Sequence, residues 1–205
     1  MTYISFNLPH LNFECSLNEI GRPKYGTLEQ LINTEFKNCQ VGTIEGYKNL
    51  PKFRLGKFKK TRLKFDNSIE LNNLITIKII EMIPGYSIYD LDFDIDGKYK
   101  ILKYKENDFF NKHRDKVNNN SHFGNLLIFP PSINNFKHTG GELILNDNFE
   151  FKSSTNEEWK CIVFTNDTIH EVKKILSGNR IVLKTELYYR MNYSLNYNIF
   201  PDHTD

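Results

Sequence analysis

Tyr104-Lys105-Glu106-Asn107-Asp108-Phe109-Phe110-Asn111-Lys112-His113-Arg114-Asp115 ends in a His-x-Asp pair. On an extended strand side chains alternate with period 2, so His113 and Asp115 point the same way. His170 follows far downstream, and Arg180 lies ten residues beyond it. A second His from a distant strand completes a face of two His and one carboxylate. Such a face leaves three coordination positions open, the pattern of non-haem Fe(II) sites. Structural zinc sites close all four positions, usually with Cys. Arg180 adds a planar, permanently charged fork suited to a carboxylate. A His-x-Asp alone is a weak signal in a chain with six His. The surrounding sequence gives it weight.

Four segments accompany the pair in order. They are the Tyr104 to Asp115 run, the apolar Asn125-Leu126-Leu127-Ile128-Phe129, the Thr139-Gly140-Gly141-Glu142-Leu143 stretch, and a closing group. That group is Trp159 to Phe164, Ile169-His170-Glu171-Val172 and Gly178-Asn179-Arg180. Together, from about Tyr104 to Tyr189, they resemble the 2-oxoglutarate- and Fe(II)-dependent dioxygenases, in the prolyl 4-hydroxylase-like branch. The resemblance spans 86 of 205 residues, 104 to 189 inclusive. It implies that His113, Asp115 and His170 bind iron and that Arg180 pairs with the distal carboxylate of 2-oxoglutarate. It places Tyr104 where a tyrosine helps hold the cosubstrate. It also implies O2 as co-reactant and ascorbate as a reductant. Two departures are visible. Many relatives carry a tyrosine on the strand where this chain has Leu127, Ile128 and Phe129, and a small hydroxyl residue where it has Val182.

The function implied is hydroxylation of a C–H bond, on a protein or peptide side chain such as proline. A small-molecule, amino-acid-like hydroxylase is the alternative. A nucleic-acid oxidase and a non-catalytic binding module on the same fold rank lower, because fold does not fix function. Oxidative nucleic-acid dealkylases have a second Arg six residues past the first; here that position is Glu186. Iron needs neutral imidazoles, so activity is expected to fall below the His titration range.

At 205 residues the chain is expected to be one domain. Residues 1–85 would supply supporting helices and strands, about 86–190 the catalytic core, and 191–205 a tail. Apolar content of 39%, with 16 Phe and 11 Tyr, suffices for a core. A net charge of +2 exerts no global pull on nucleic acid or anionic membrane. No apolar run approaches about 18 residues and no signal segment opens the chain, so no membrane partner is expected. Cys15, Cys39 and Cys161 lack pairing or Cys-x-x-Cys spacing, which fits a reducing, cytoplasmic setting.

Thr27 to Lys37 reads as a helix with Thr27 as N-cap, and Ser68 to Met82 as a second, stopped by Pro84-Gly85. The Ile content of the second leaves a strand open for its later half. Ile88–Ile95 and Lys98–Lys105 read as a hairpin about Asp96-Gly97. Further strands are expected near 125–129, 142–145, 160–164 and 180–189. Many short strands argue a mainly β, double-stranded β-helix of jelly-roll or cupin-like type, with N-terminal helices flanking it.

Alternation along 180–187 puts Arg180, Val182, Lys184 and Glu186 on one face. Ile181, Leu183, Thr185 and Leu187 then take the opposite sheet surface or face an outer helix. A Lys and a Glu facing a barrel interior are costly unless paired or wet. Either the strand twists and leaves both at a solvent rim, or they reach the pocket and help orient cosubstrate or substrate. Lys184 is therefore a candidate cosubstrate contact.

Three other signals rank lower. Asp92-x-Asp94-x-Asp96-Gly97 opens like a calcium loop, but the Glu required at position 12 is Lys103. His203-x-Asp205 has no partner after it. Residues 52–64 interleave basic and aromatic side chains, as single-stranded nucleic-acid binders do. An amphipathic strand with a wet basic face is favoured, ahead of an acidic partner or nucleic acid.

Overall fold

Every residue of Leu126–Phe129 and of Cys161–Phe164 is buried. A strand buried on both faces must lie between two apolar layers. Parity sorts these residues. Leu126, Ile128, Cys161 and Val163 join one core cluster, while Leu127, Phe129, Ile162 and Phe164 join another. The fold has three layers: a helix, a large sheet and a small sheet.

The computed structural model describes residues 3–8, 56–57, 59–63, 68–82, 92–95, 99–115, 122–131, 137–153 and 158–190. In chain order the elements are β1 (Tyr3–Leu8), β2 (Gly56–Lys57), β3 (Lys59–Leu63), α1 (Ser68–Met82), β4 (Asp92–Ile95), β5 (Tyr99–Lys105) and β6 (Phe109–His113). Then come β7 (His122–Phe129), β8 (His138–Gly140), β9 (Leu143–Leu145), β10 (Phe149–Phe151), β11 (Trp159–Thr165), β12 (His170–Val172) and β13 (Ile175–Arg190). The large sheet runs β1-β11-β7-β13-β5-β3, with β4 and β8 also paired to β13. The small sheet runs β10-β9-β12-β6-β2. All pairings are antiparallel. This is the expected jelly-roll double sheet.

The outer face of the large sheet carries α1. Leu71, Ile75 and Ile79 recur every four residues and join one buried cluster with Leu8 of β1, Leu126 and Ile128 of β7, and Ile181, Leu183 and Leu187 of β13. Each fully buried Leu or Ile contributes roughly 1.5–3 kcal/mol. The Tyr99 hydroxyl donates to Asn72 Oδ1 at 2.6 Å and ties the helix to β5. The helix continues to Met82, so the Ile-rich half is helical and not a strand. The expected helix at 27–37 and the tail at 191–205 lie outside the described residues.

One expectation is corrected. Strands β4 and β5 do not pair with each other as a hairpin. Both pair with β13, along the same edge: Ile95 opposite Leu187, Lys100 opposite Lys184. They are successive stretches beside one long strand. A Asp-Gly signal is local, whereas β13 offers a sixteen-residue ladder that no local signal reveals. Strand β1 is a second surprise. Tyr3–Leu8 pairs with Trp159–Phe164 and forms an edge of the large sheet, so the N-terminal part of the chain contributes to the core sheets.

The turn from β5 to β6 carries the chain from the large sheet to the small one. The Asp108 carboxylate accepts from the Lys105 amide at 2.8 Å, and Asn107 takes a left-handed φ of 67°. Asn and Asp tolerate these roles. The Ile175 amide then donates to the Asp108 carbonyl at 2.9 Å, fixing this turn to the start of β13.

Candidate metal centre and anion pocket

His113 ends β6 and His170 begins β12, and the two are directly opposite in register. Their ring centroids are 4.2 Å apart. Each ring is oriented the same way. His113 Nδ1 is 2.7 Å from the Asn111 carbonyl, and His170 Nδ1 is 3.1 Å from the Thr168 carbonyl. A carbonyl only accepts, so each Nδ1 carries the proton and each Nε2 presents its lone pair. Phe110 packs on the His113 ring at 3.8 Å and Phe164 on the His170 ring at 4.8 Å. Two imidazoles are thus buried, packed and held in one tautomer. His113 Nε2 has no hydrogen-bond partner.

Asp115 meets them. Its Oδ1 lies 3.5 Å from His113 Nε2 and its Oδ2 3.9 Å from His170 Nε2. The three donor atoms all fall within 4.8 Å of one another. Asp115 is two residues past the end of β6. Its approach to His113 therefore comes from the chain leaving the strand, not from strand alternation as the sequence suggested. Among the described residues this is the one group of three or more His, Cys, Asp or Glu that could hold a metal ion.

The charges suit a cation. Burial alone would raise the Asp115 carboxyl, but Lys184, His113 and His170 hold it well below the usual carboxylate range. Burial lowers His170 to about 4, against the pull of Asp115. At neutral pH the pair therefore offers a carboxylate and a neutral imidazole, and no proton need leave either before a metal binds.

Arg180 lies on the inner face of β13, opposite Tyr104 of β5. It is 1% exposed. Its guanidinium carbon stands 5.0 Å from the Tyr104 ring centre and 5.1 Å from that of Phe129. Its Nε has no hydrogen-bond partner. Burial lowers it to about 10, offset by Tyr104 and then Glu142, so it stays charged at neutral pH. Burial pushes the Tyr104 hydroxyl up to about 12, with Arg180 acting the other way. A buried cation with an orphaned donor in an aromatic cradle calls for an anion.

The Gly140-Gly141 pair shapes this cradle. Both have φ of 72°, which strains any other L-residue. A Cβ on Gly141 would stand 2.1 Å from Ile175 Cδ1 and 3.0 Å from Arg180 Cδ. The bare backbone lets the arginine stem pass.

Lys184 and Glu186, expected on one face with Arg180, take different partners. Lys184 Nζ donates to Asp115 Oδ2 at 2.5 Å. Glu186 accepts from Lys100 Nζ at 2.7 Å and from the Tyr188 hydroxyl at 2.6 Å. Both are partly buried and paired, so neither is left at the open solvent rim. The partner of Lys184 is the carboxylate of the candidate metal centre, and no contact joins Lys184 to Arg180.

Sequence reasoning did not single out Phe129 as an Arg180 neighbour, nor the carbonyls of Asn111 and Thr168. Parity with Leu127 was the signal for Phe129; backbone carbonyls carry none. Of the lower-ranked signals, Asp92 and Asp94 fall in strand β4, while Asp96 and His203 to Asp205 lie outside the described residues. Within 52–64, Gly56–Lys57 and Lys59–Leu63 are strands at sheet edges.

The sequence matches no family model and no curated protein. The fold matches solved structures. One is a Pseudomonas putida prolyl-4-hydroxylase, at 12% identity and TM-score 0.54, covering 80% of this chain and 85% of that one. A second is a Trichoplax adhaerens prolyl hydroxylase in complex with a hypoxia inducible factor oxygen degradation domain peptide fragment, at 16% identity and TM-score 0.55, covering 82% and 79%. A third is a viral collagen prolyl hydroxylase from Paramecium Bursaria Chlorella virus-1 in a 2-oxoglutarate complex, at 12% identity and TM-score 0.55, covering 93% and 97%. At these identities the likeness is one of fold.

Proposed function

We propose that this protein is an Fe(II)- and 2-oxoglutarate-dependent dioxygenase that hydroxylates a C–H bond, on a protein or peptide side chain such as proline. One observation carries the reading. Two tautomer-fixed Nε2 atoms and a carboxylate converge, with a buried arginine of orphaned Nε on the facing sheet. Together they match a metal and a dicarboxylate that bind side by side. The peptide assignment is supported by the solved Trichoplax complex, whose partner is a peptide fragment.

The residues divide the work. His113, Asp115 and His170 would hold the iron and leave positions free on it. Arg180, stacked between Tyr104 and Phe129, would hold the far carboxylate of 2-oxoglutarate. Iron with 2-oxoglutarate, when bound, supplies the oxygen activation. Leu127, Phe129, Val182 and Ile175 share a buried apolar cluster with Tyr104 and would limit water on that side. The backbone carbonyls behind the two imidazoles keep their donor atoms aimed as ligands change.

The test is Fe(II)-dependent conversion of 2-oxoglutarate to succinate, followed by mass spectrometry of proline-containing peptides and free amino acids. A gain of one oxygen atom on a peptide is expected. Oxygen gain on free amino acids alone would replace the peptide assignment. No succinate from the wild-type protein with Fe(II) would refute the enzyme itself.

A further inference from the structure

Lys184 is a residue that a general carboxylate-and-imidazole site does not require. It reaches from the inner face of β13 in the large sheet to Asp115, beyond β6 of the small sheet, and its Nζ takes Oδ2 at 2.5 Å. Asp115 Oδ1 is left facing His113 Nε2 at 3.5 Å. A carboxylate with both oxygens free can bind a metal through both, which fills an extra position. An ammonium held on one oxygen prevents that. It also sets a second positive charge beside the cation site.

We propose that Lys184 is a positioning residue for Asp115. It confines the carboxylate to one metal-binding oxygen, and its charge trades metal affinity for affinity toward the dianionic cosubstrate. This rests on the reading of His113, Asp115 and His170 as metal ligands. It follows from the contacts on both sides. Glu186, the acidic residue of this face, is held by Lys100 and Tyr188. Lys184 is thus directed to Asp115 rather than neutralised within its own strand.

The proposal makes two quantities move in opposite directions. With Lys184→Met, the ammonium that repels a divalent ion is gone and both Asp115 oxygens are free, so Mn(II) binds more tightly. The same change removes a positive charge beside the metal, where a dianion bound to that metal would also sit, so 2-oxoglutarate binds the Mn(II)-loaded protein more weakly. Solvent screening at this partly buried site reduces the interaction between charges a few ångströms apart, so shifts of about tenfold are the expected scale. Lys184→Arg keeps the charge and a donor and should restore both constants toward wild type. General damage to the site would weaken both ligands together.

The experiment is titration of the full chain with Mn(II), free metal being read by electron paramagnetic resonance, then with 2-oxoglutarate by calorimetry. Wild type, Lys184→Met, Lys184→Arg and Asp115→Ala are compared. Tighter Mn(II) with weaker 2-oxoglutarate in Lys184→Met, reversed in Lys184→Arg, supports the proposal. Unchanged or weaker Mn(II) binding in Lys184→Met overturns it. Absence of Mn(II) binding in wild type, or its full retention in Asp115→Ala, would instead remove the metal-site reading beneath it.

Discussion

At the residue scale, the candidate centre depends on two imidazoles being aimed. Each is held through Nδ1 by a carbonyl two residues earlier in the chain, so strand ends supply the orientation without another side chain. For His170 burial has a cost that pH reveals. Its folded value of about 4 lies below the ordinary 6.5. Between these values the unfolded chain binds a proton that the folded protein does not. Stability linked to His170 is therefore full above about 6.5 and falls with pH toward 4. At its steepest the slope is tenfold in the folding equilibrium per pH unit. Metal-free protein, kept in chelator, should lose stability across that window by urea unfolding, and the difference between wild type and His170→Gln should follow it. A wild-type-minus-variant difference that is flat from pH 6.5 to 4 would show that His170 is not buried as a neutral imidazole.

At the scale of elements, what the sequence revealed depended on length and locality. Helix α1 was legible because Ser68 reads in the sequence as an N-cap, Pro84-Gly85 reads as a stop, and the apolar face repeats through Leu71, Ile75 and Ile79. Strands β7, β11 and β13 were legible as apolar or alternating runs. Strands β8, β9, β10 and β12 have three residues each, too few to show a period; β9 was anticipated only as part of a longer segment. The Asp96-Gly97 hairpin failed because a turn signal says nothing about a distant competing strand. Within the centre, the donor types were legible but the fixing carbonyls, Phe129 and the Lys184 partner were not, since each is a contact between separate elements. The Gly140-Gly141 turn permits an element-scale test. Gly141→Ala adds strain at positive φ and crowds Ile175 and Arg180. It should weaken 2-oxoglutarate binding several-fold and leave Mn(II) affinity close to wild type, because the metal donors stand on other strands. Equal losses for both ligands would mean that the turn supports the whole sheet and not the arginine in particular.

At the scale of the whole molecule, the two sheets carry different halves of the candidate site. His113 and His170 stand at the ends of β6 and β12 in the small sheet, with Asp115 just beyond β6, while Arg180, Tyr104, Phe129 and Lys184 belong to strands of the large one. The apolar core between them holds the halves at a fixed separation, and the Lys184–Asp115 pair joins them directly. Among the described residues no helix is long and apolar enough to cross a membrane. The metal is expected to be required for dicarboxylate binding, and Arg180 for making that binding tight. The most direct measurement is calorimetric titration of Mn(II), then 2-oxoglutarate, into wild type, Asp115→Ala and Arg180→Ala. One metal ion per chain should bind wild type and Arg180→Ala, and Asp115→Ala should lose it. 2-Oxoglutarate should bind only after metal, and at least about tenfold more weakly to Arg180→Ala, since a lost charged hydrogen bond costs on the order of 1.5–3 kcal/mol. Metal-independent 2-oxoglutarate binding, or an unchanged dissociation constant in Arg180→Ala, would show that the metal centre and Arg180 do not hold the dicarboxylate together.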